Sequence, residues 1–149
     1  MPVRVQHEDF DAGAEIARLR ANNPRIGAVA SFIGIVRDLN EGNAVGSITL
    51  EHYPGMTEKS LAAIAEQARE RWSLDDVLIV HRVGTLAPAD QIVLVVTTSS
   101  HRGDAFAGCQ FVMDYLKTDA PFWKKETTSS GVRWVDARDS DAVARDRWK

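Results

Sequence analysis

The 149-residue chain has only one cysteine, Cys109, so it cannot form an internal disulfide. One thiol is also too few for the cysteine pairs of a structural zinc site. Cys109 lies in an apolar helical pattern, where a cysteine is typically a packed thiol rather than a nucleophile. The lack of cysteine pairs favours a protein of a reducing compartment.

Long apolar runs and an excess of positive charge are also absent. No segment approaches the roughly 18 apolar residues needed to span a bilayer, and Met1–His7 contains no apolar signal segment. We therefore expect a cytoplasmic protein without a membrane partner. Lys and Arg number 18 against 21 Asp and Glu, whereas nucleic-acid-binding domains are usually basic. This balance predicts no nucleic-acid partner.

Common cofactor motifs are missing too. The chain contains no GxGxxG, no GxxxxGK[ST] and no HExxH sequence. Its four histidines lie far apart and do not have the spacing of metal ligands; they are His7, His52, His81 and His101. The sequence therefore predicts neither a bound metal nor a bound nucleotide.

The length and the 44% hydrophobic content are typical of one domain with a substantial core, spanning residues 1–149. Residues from about 139 to 149 are polar, and we expect them to form a flexible tail. Val3 and Val5 alternate as in a strand, and Asp11 is a suitable N-cap for a helix over residues 12–21. The nearly continuous apolar run over residues 26–36 is typical of a central strand buried on both faces.

The second half of the chain mixes strands and helices without strict alternation. Residues 47–53 are predicted as a strand, followed by a helix that begins with Thr57 as N-cap and buries Leu61, Ile64, Ala65 and Ala68. Strands are predicted over 77–83 and 92–98, and a helix over 104–117 with Phe106, Cys109, Met113 and Leu116 inward. Residues 122–127 and 132–137 are predicted as a C-terminal β-hairpin. This order favours a single α+β domain with a mixed or antiparallel sheet and three main helices.

Residues 114–126 place lysines among aromatic residues. Lys117 ends the predicted helix before Pro121, and strand alternation puts Phe122, Lys124 and Glu126 on one face with Lys125 on the other. One interpretation is a set of surface lysines whose stems cover apolar surface. The other is a partly desolvated basic pocket, because lysine is rarely buried without a specific reason such as a partner.

Further cations lie at the ends of predicted elements. Arg37 follows the strand at 26–36, with Asp38 as a candidate ion-pair partner. His101 and Arg102 lie between a strand and a helix start, where backbone N–H groups and the helix dipole favour an anion. A solvated loop in which Asp104 pairs with Arg102 is the alternative. If these cations converge with Lys117 and Lys124, they form a pocket suited to phosphate.

Six motifs together resemble one enzyme family. They are Phe32–Asp38, Leu50–Lys59, Ser100–Arg102, Met113–Thr118, Ala120–Glu126 and Arg133–Arg138. With these motifs, nearly the whole chain resembles the large, catalytic subunit of molybdopterin synthase. The resemblance implies an α/β-hammerhead-like form of the α+β fold.

The resemblance also implies a reaction and partners. The expected activity is a sulfurtransferase step of molybdenum cofactor biosynthesis that converts cyclic pyranopterin monophosphate (precursor Z) to molybdopterin. The sulfur would come from the C-terminal Gly-Gly thiocarboxylate of a small ubiquitin-like subunit, a second polypeptide that acts as cosubstrate, so no cofactor is expected. The expected assembly is a homodimer of this chain within a 2+2 heterotetramer.

Residue roles follow from the same resemblance. Lys117 and Lys124 correspond to catalytic lysines, and Arg138 is expected at the rim or at a dimer contact. The expected substrate-binding residues are Arg37, His101, Arg102, Lys125, Glu126, Val36 and Ile35. Ile35 departs from the family pattern, since relatives often carry lysine at this position, so the family's side-chain contact there does not carry over directly. Two other functions stay open: a noncatalytic module that binds a ubiquitin-like tail, and a small-anion sensor that uses Arg37 and Arg102.

Overall fold

A computed structural model describes residues 3–40, 43–128, 131–135 and 139–149. Within these ranges the helices are α1 (Ala12–Arg20), α2 (Met56–Arg71), α3 (Arg102–Asp119) and α4 (Asp139–Asp146). The strands are β1 (Val3–Gln6), β2 (Ala28–Ile35), β3 (Leu39–Asn40), β4 (Asn43–His52), β5 (Asp76–Arg82), β6 (Gly84–Leu86), β7 (Gln91–Ser99), β8 (Phe122–Thr128) and β9 (Gly131–Val135). Among these described residues, no helix combines the length and apolarity that crossing a membrane requires.

The strands form two sheets. The first sheet has the order β1-β5-β7-β2, in which β1 and β5 are parallel and the other pairs are antiparallel. The second sheet has the order β3-β4-β8-β9, with β6 also paired to β4, and all its pairs are antiparallel. This mixture confirms the predicted α+β class.

Helices cover both faces of the first sheet. On one face, α2 and α3 pack on the sheet around the largest core cluster, and the predicted α2 stripe of Leu61, Ile64, Ala65 and Ala68 is buried there. On the other face, α1 packs over a smaller cluster around Phe10. Its N-cap is Asp11 as predicted, because the side chain accepts a hydrogen bond from Ala14 N at 3.0 Å.

The prediction of a central strand over residues 26–36 is wrong. Among the described strands, β2 pairs with β7 alone and lies at the edge of the first sheet. Phe32 and Ile35 are 41% and 45% exposed, whereas Val93 and Val95 of β7 are buried. The error has a physical reason. An apolar run shows only that a segment is hydrophobic, whereas the position of a strand within its sheet depends on pairing with distant segments.

Two helix predictions also need correction. Phe106 was expected to face inward but is 67% exposed, because α3 begins at Arg102 and its buried side runs along Ala105, Cys109, Val112 and Leu116. This is the spacing of one helix face, and Phe106 lies beside it.

Thr57 is not an N-cap, because α2 already begins at Met56 with Gly55 before it. The Thr57 side chain is instead buried in the first turn of α2. Its hydroxyl accepts a hydrogen bond from Tyr53 N at 2.9 Å and donates one to the Pro121 carbonyl at 3.0 Å. Thr57 therefore joins the start of α2 to the segment between α3 and β8.

The polar C-terminal residues, expected to form a tail, contain a fourth helix. After α4, the Trp148 ring packs edge-on against Trp72 and Phe111, with centroid distances of 5.4 and 5.7 Å. Its Nε1–H donates a hydrogen bond to the Asp114 carboxylate at 2.6 Å. These contacts hold the end of the chain against α2 and α3.

Candidate active site

The two predicted catalytic lysines lie on either side of a break between α3 and β8. Lys117 is in the last turn of α3, and Ala120 after the helix has extended backbone angles, φ −82° and ψ 135°. The residue before a proline is disfavoured in the helical region, so Pro121 explains this change of direction. Strand β8 then begins at Phe122 and carries Lys124.

The pairing of β8 with β4 sets the direction of its side chains. Phe122, Lys124 and Glu126 lie opposite His52, Leu50 and Ile48 of β4. Ile48 and Leu50 are buried, so this is the inner face of the second sheet, and Lys124 is half-buried on it. The alternation predicted from the sequence is therefore confirmed for this strand.

Lys125 lies on the outer face of the second sheet. It pairs in register with Trp134 of β9, and its Nζ lies 5.4 Å from the centroid of the Trp134 ring. This distance is in the range of a cation–π contact. Lys125 and Lys124 therefore occupy different environments.

The antiparallel pairing of β2 and β7 defines two ends of the first sheet. At one end Ile35 pairs with Gln91, and at the other Ala28 pairs with Ser99. We call these the Gln91 end and the Ser99 end. They are about 25 Å apart, because eight strand residues each advance about 3.3 Å.

The predicted cations divide between these ends. Arg37 follows β2 at the Gln91 end, whereas His101 and Arg102 follow β7 at the Ser99 end. All three side chains are exposed. The expected convergence of these residues into one pocket is therefore wrong for a single chain, because β2 and β7 are antiparallel neighbours and so finish at opposite ends of the sheet.

Helix α3 carries Lys117 back to the Gln91 end. It begins at Arg102, packs against β7 and β2, and has 18 residues, which span about 27 Å. The charge of Lys117 acts on His81, which pairs with Val93 near the start of β7. Lys117 and Arg37 therefore lie at the same end of the first sheet.

His81 is a buried member of this site that the sequence did not identify. Its ring stacks on Phe122 with a centroid distance of 3.8 Å and an interplanar angle of 18°. Its Nδ1 lies 2.8 Å from the Arg82 carbonyl oxygen, and because a carbonyl can only accept, Nδ1 carries the proton. The available signal was a histidine inside the apolar segment Val77–Val83.

The charge state of His81 follows from its surroundings. Burial is the main cause that lowers its pKa, to about 4, and the charges of Lys117 and His52 act in the same direction. The hydrogen bond to the Arg82 carbonyl opposes this shift. His81 is therefore neutral at pH 7 and lies beside the cationic Lys117.

The remaining predicted site residues differ in accessibility. Val36 is buried in the core, its N–H donates to the Asp90 carbonyl at 2.9 Å, and its carbonyl accepts from Ala89 N at 2.8 Å. Val36 thus anchors the backbone before Arg37 and offers no free side chain to a ligand. Ile35 is exposed at the end of β2, and Glu126 is buried on the inner face of the second sheet. Arg138 lies outside the described residues.

The structure also describes the surroundings of Cys109 and Asp104. Burial raises the pKa of the Cys109 thiol to about 11, which is consistent with a packed thiol rather than a nucleophile. The Asp104 carboxylate accepts a hydrogen bond from Ser73 N at 3.1 Å. In the part of the chain that the structure describes, no three His, Cys, Asp or Glu side chains come together as metal ligands.

Comparison with known proteins gives consistent results. The family model described as "MoaE protein" matches residues 5–119. The molybdopterin synthase catalytic subunit of Ralstonia nicotianae is 64% identical over 146 residues, which cover 98% of this chain and 83% of the relative. The solved molybdopterin biosynthesis MoaE protein of Burkholderia ambifaria is 62% identical, with a TM-score of 0.84, and the match covers 99% of this chain and 98% of that chain.

A more distant structural relative has the same fold. It is a chain in the complex of subunits 1 and 2 of molybdopterin-converting factor from Helicobacter pylori. The two chains are 18% identical with a TM-score of 0.75, and the match covers 93% of this chain and 92% of that chain.

The low pKa of His81 predicts a specific dependence of stability on pH. Its value of about 4 lies below the ordinary 6.5, so the unfolded chain binds the proton more tightly. The resulting stability is fully present above pH 6.5 and is lost as the pH falls towards 4, by roughly 3 kcal/mol at about 1.4 kcal/mol per pKa unit. His81→Phe removes this contribution. Urea unfolding at pH 7 and pH 4.5 should show a smaller drop for His81→Phe than for wild type, and equal drops would contradict the assignment.

Proposed function

Because the chain belongs to the family of molybdopterin synthase catalytic subunits, enzymes of molybdenum cofactor biosynthesis, we propose that it converts cyclic pyranopterin monophosphate (precursor Z) to molybdopterin. The sulfur is supplied by the C-terminal Gly-Gly thiocarboxylate of a small ubiquitin-like subunit. The observation that carries this proposal is the break at Pro121, which places Lys117 and Lys124 on either side of Phe122 near the Gln91 end.

The lysines have the properties that this transfer needs. Two sulfurs are transferred in turn, each from one thiocarboxylate: the sulfur forms a bond to a side-chain carbon of the pterin as a C–O bond of that carbon breaks, and the oxygen leaves as the phosphate ester oxygen of the opening ring in one transfer and as water in the other. Water then adds to the acyl carbon of the tail, the acyl carbon–sulfur bond breaks, and the tail leaves as a carboxylate. Negative charge develops at the acyl oxygen, and a positioned cation stabilises that charge. Lys117 is exposed at the end of α3 and Lys124 is half-buried in β8, so both ammonium groups are accessible for this role. We assign Lys117 to the terminal carbonyl of the tail and Lys124 to the pterin or its phosphate.

Arg37 supports recognition of the phosphate. It is exposed and follows Val36, whose backbone groups are both hydrogen-bonded to the Ala87–Asp90 loop. This anchoring places the guanidinium at the Gln91 end, where Lys117 also lies. A guanidinium on an anchored backbone is well suited to bind a phosphate through two parallel hydrogen bonds.

The sulfur donor is proposed to bind in trans. The Helicobacter pylori relative is, by its description, part of a complex of two subunits. A Gly-Gly tail has no side chains, so its backbone can approach Lys117 closely. We therefore propose one small ubiquitin-like subunit for each copy of this chain, with the tail directed to Lys117, and no cofactor besides this cosubstrate.

The separation of the cations supports a homodimer within a 2+2 heterotetramer. His101 and Arg102 lie at the Ser99 end, about 25 Å from Arg37 by the strand rise. In one chain they cannot contact a substrate held at Lys117. A second copy of the chain supplies His101 and Arg102 to the first copy's site, so each site uses residues from both protomers.

Removal of either lysine should abolish most of the activity. In a reconstituted reaction with the thiocarboxylated small subunit and cyclic pyranopterin monophosphate, we expect Lys117→Ala and Lys124→Ala to lower the rate of dithiolene formation at least about 100-fold, the usual effect of losing one positioned charge-stabilising group. Lys59→Ala is the matched control, since Lys59 is an exposed lysine of α2. Binding of the small subunit, measured in parallel, should be retained.

Wild-type rates in both lysine variants would contradict the mechanism. Tail binding by a wild-type chain that forms no dithiolene product would instead indicate the noncatalytic binding module.

Mixing two inactive variants should restore activity if the sites are shared between protomers. In a mixture of Lys117→Ala and Arg102→Ala chains, half of the dimers are mixed, and each mixed dimer contains one site with both residues intact. We therefore expect about one quarter of the wild-type rate, because about one site in four contains both residues when two copies share a symmetric interface. The experiment first verifies that the two variants exchange subunits. If activity still does not recover, Arg102 acts within its own chain or not at all.

A further inference from the structure

His81 is an unusual core residue because it lies among aliphatic side chains of β5. Its neighbours on the strand, Ile79 and Val80, are fully buried, and His81 itself is only 5% exposed. A buried polar ring is unfavourable unless its polar atoms are hydrogen-bonded. The bond from Nδ1 to the Arg82 carbonyl offsets part of this cost.

The ring of His81 connects the two sheets at the proposed site. His81 belongs to β5 of the first sheet, while Phe122 is the first residue of β8 in the second sheet. Their rings stack nearly parallel at 3.8 Å. Phe122 also pairs in register with His52 of β4. Phe122 is therefore held both by its own sheet and by a ring of the other sheet.

The backbone next to Phe122 is held by a second residue. The Thr57 hydroxyl donates to the Pro121 carbonyl at 3.0 Å, and Phe122 N donates to the Ala120 carbonyl at 2.9 Å. Together with the ring stack, these contacts fix the segment that separates Lys117 from Lys124. Small displacements of reacting groups have large effects on rate, so the position of this segment matters for any reaction that uses both lysines.

The neutral state of the His81 ring makes histidine compatible with the nearby Lys117. The charged groups that act on His81 are Lys117 of α3 and His52 of β4, and both disfavour its protonation. A permanent cation at position 81 would repel the Lys117 ammonium. A neutral planar ring gives the stacking surface without this repulsion.

We propose that His81 is a positioning residue of the active site, which acts through Phe122 to hold Lys117 and Lys124 in their relative placement. The effect that we expect on the reaction rate rests on the proposed sulfur transfer. The effect that we expect on the structure rests only on the His81–Phe122 stack. Because His81 is buried, we assign it no direct contact with the tail or the pterin. Its role is carried by the ring, so another planar ring should substitute for it and a flexible polar chain should not.

The test compares His81→Phe, His81→Gln and His81→Ala in the reconstituted reaction. We expect kcat within about threefold of wild type for His81→Phe, and a loss of at least about tenfold for His81→Gln and His81→Ala, as small misplacements produce. KM for the pterin and Kd for the small subunit should change less than about twofold, because the binding groups remain. His7→Gln is the matched control, since His7 is exposed.

Hydrogen exchange gives a readout that does not depend on activity. In His81→Gln, amide exchange should accelerate at residues 122–126 and stay unchanged in α2, while His81→Phe should resemble wild type. Wild-type kcat and exchange in all three variants would overturn the proposal. So would parallel losses of kcat, partner affinity and thermal stability in His81→Phe, because they indicate a purely structural role. If wild type itself forms no product, the proposed function fails, and the exchange comparison still decides the positioning role.

Discussion

The site depends on the inability of Pro121 to continue helix α3. Without this break, Lys117 and Lys124 would lie on one helix at a spacing of seven residues. The proline instead directs the chain into β8, where pairing with β4 places Lys124 on the inner face of the second sheet. The Thr57 hydroxyl and the His81 ring hold the two residues that follow the break. Local backbone chemistry and contacts from two distant elements therefore act on the same few residues.

A second constraint is the antiparallel order of the first sheet. Because β2 and β7 run in opposite directions, Arg37 is separated from His101 and Arg102, although each follows the end of a strand. Helix α3 then connects the two ends by carrying Lys117 back along the sheet. A chain with this topology has two clusters of cations instead of one. This separation is the reason for our proposal that two copies of the chain contribute cations to one site.

Features set by local sequence could be predicted, whereas features set by distant pairing could not. The stripe of α2, the Asp11 cap and the alternation of Phe122 and Lys124 follow from periodicity and short-range hydrogen bonds. The edge position of β2 and the ends to which the cations belong depend on strand order, which no local pattern contains. The contact of His81 with Phe122 joins residues 41 positions apart in the sequence. The family motifs indicated Lys117 and Lys124 as the lysines proposed to react, but they gave no information about the groups that hold these residues in place.

The central proposal is that Lys117, beside the break between α3 and β8, receives the tail of another polypeptide. The most direct measurement is a crystal structure of this chain bound to the small ubiquitin-like subunit with its Gly-Gly terminus intact. We predict that the terminal carbonyl oxygen lies within about 3.5 Å of the Lys117 ammonium, the distance of a charge-assisted hydrogen bond. A tail that ends at the outer face near Lys125 and Trp134, with Lys117 uncontacted, would contradict the account.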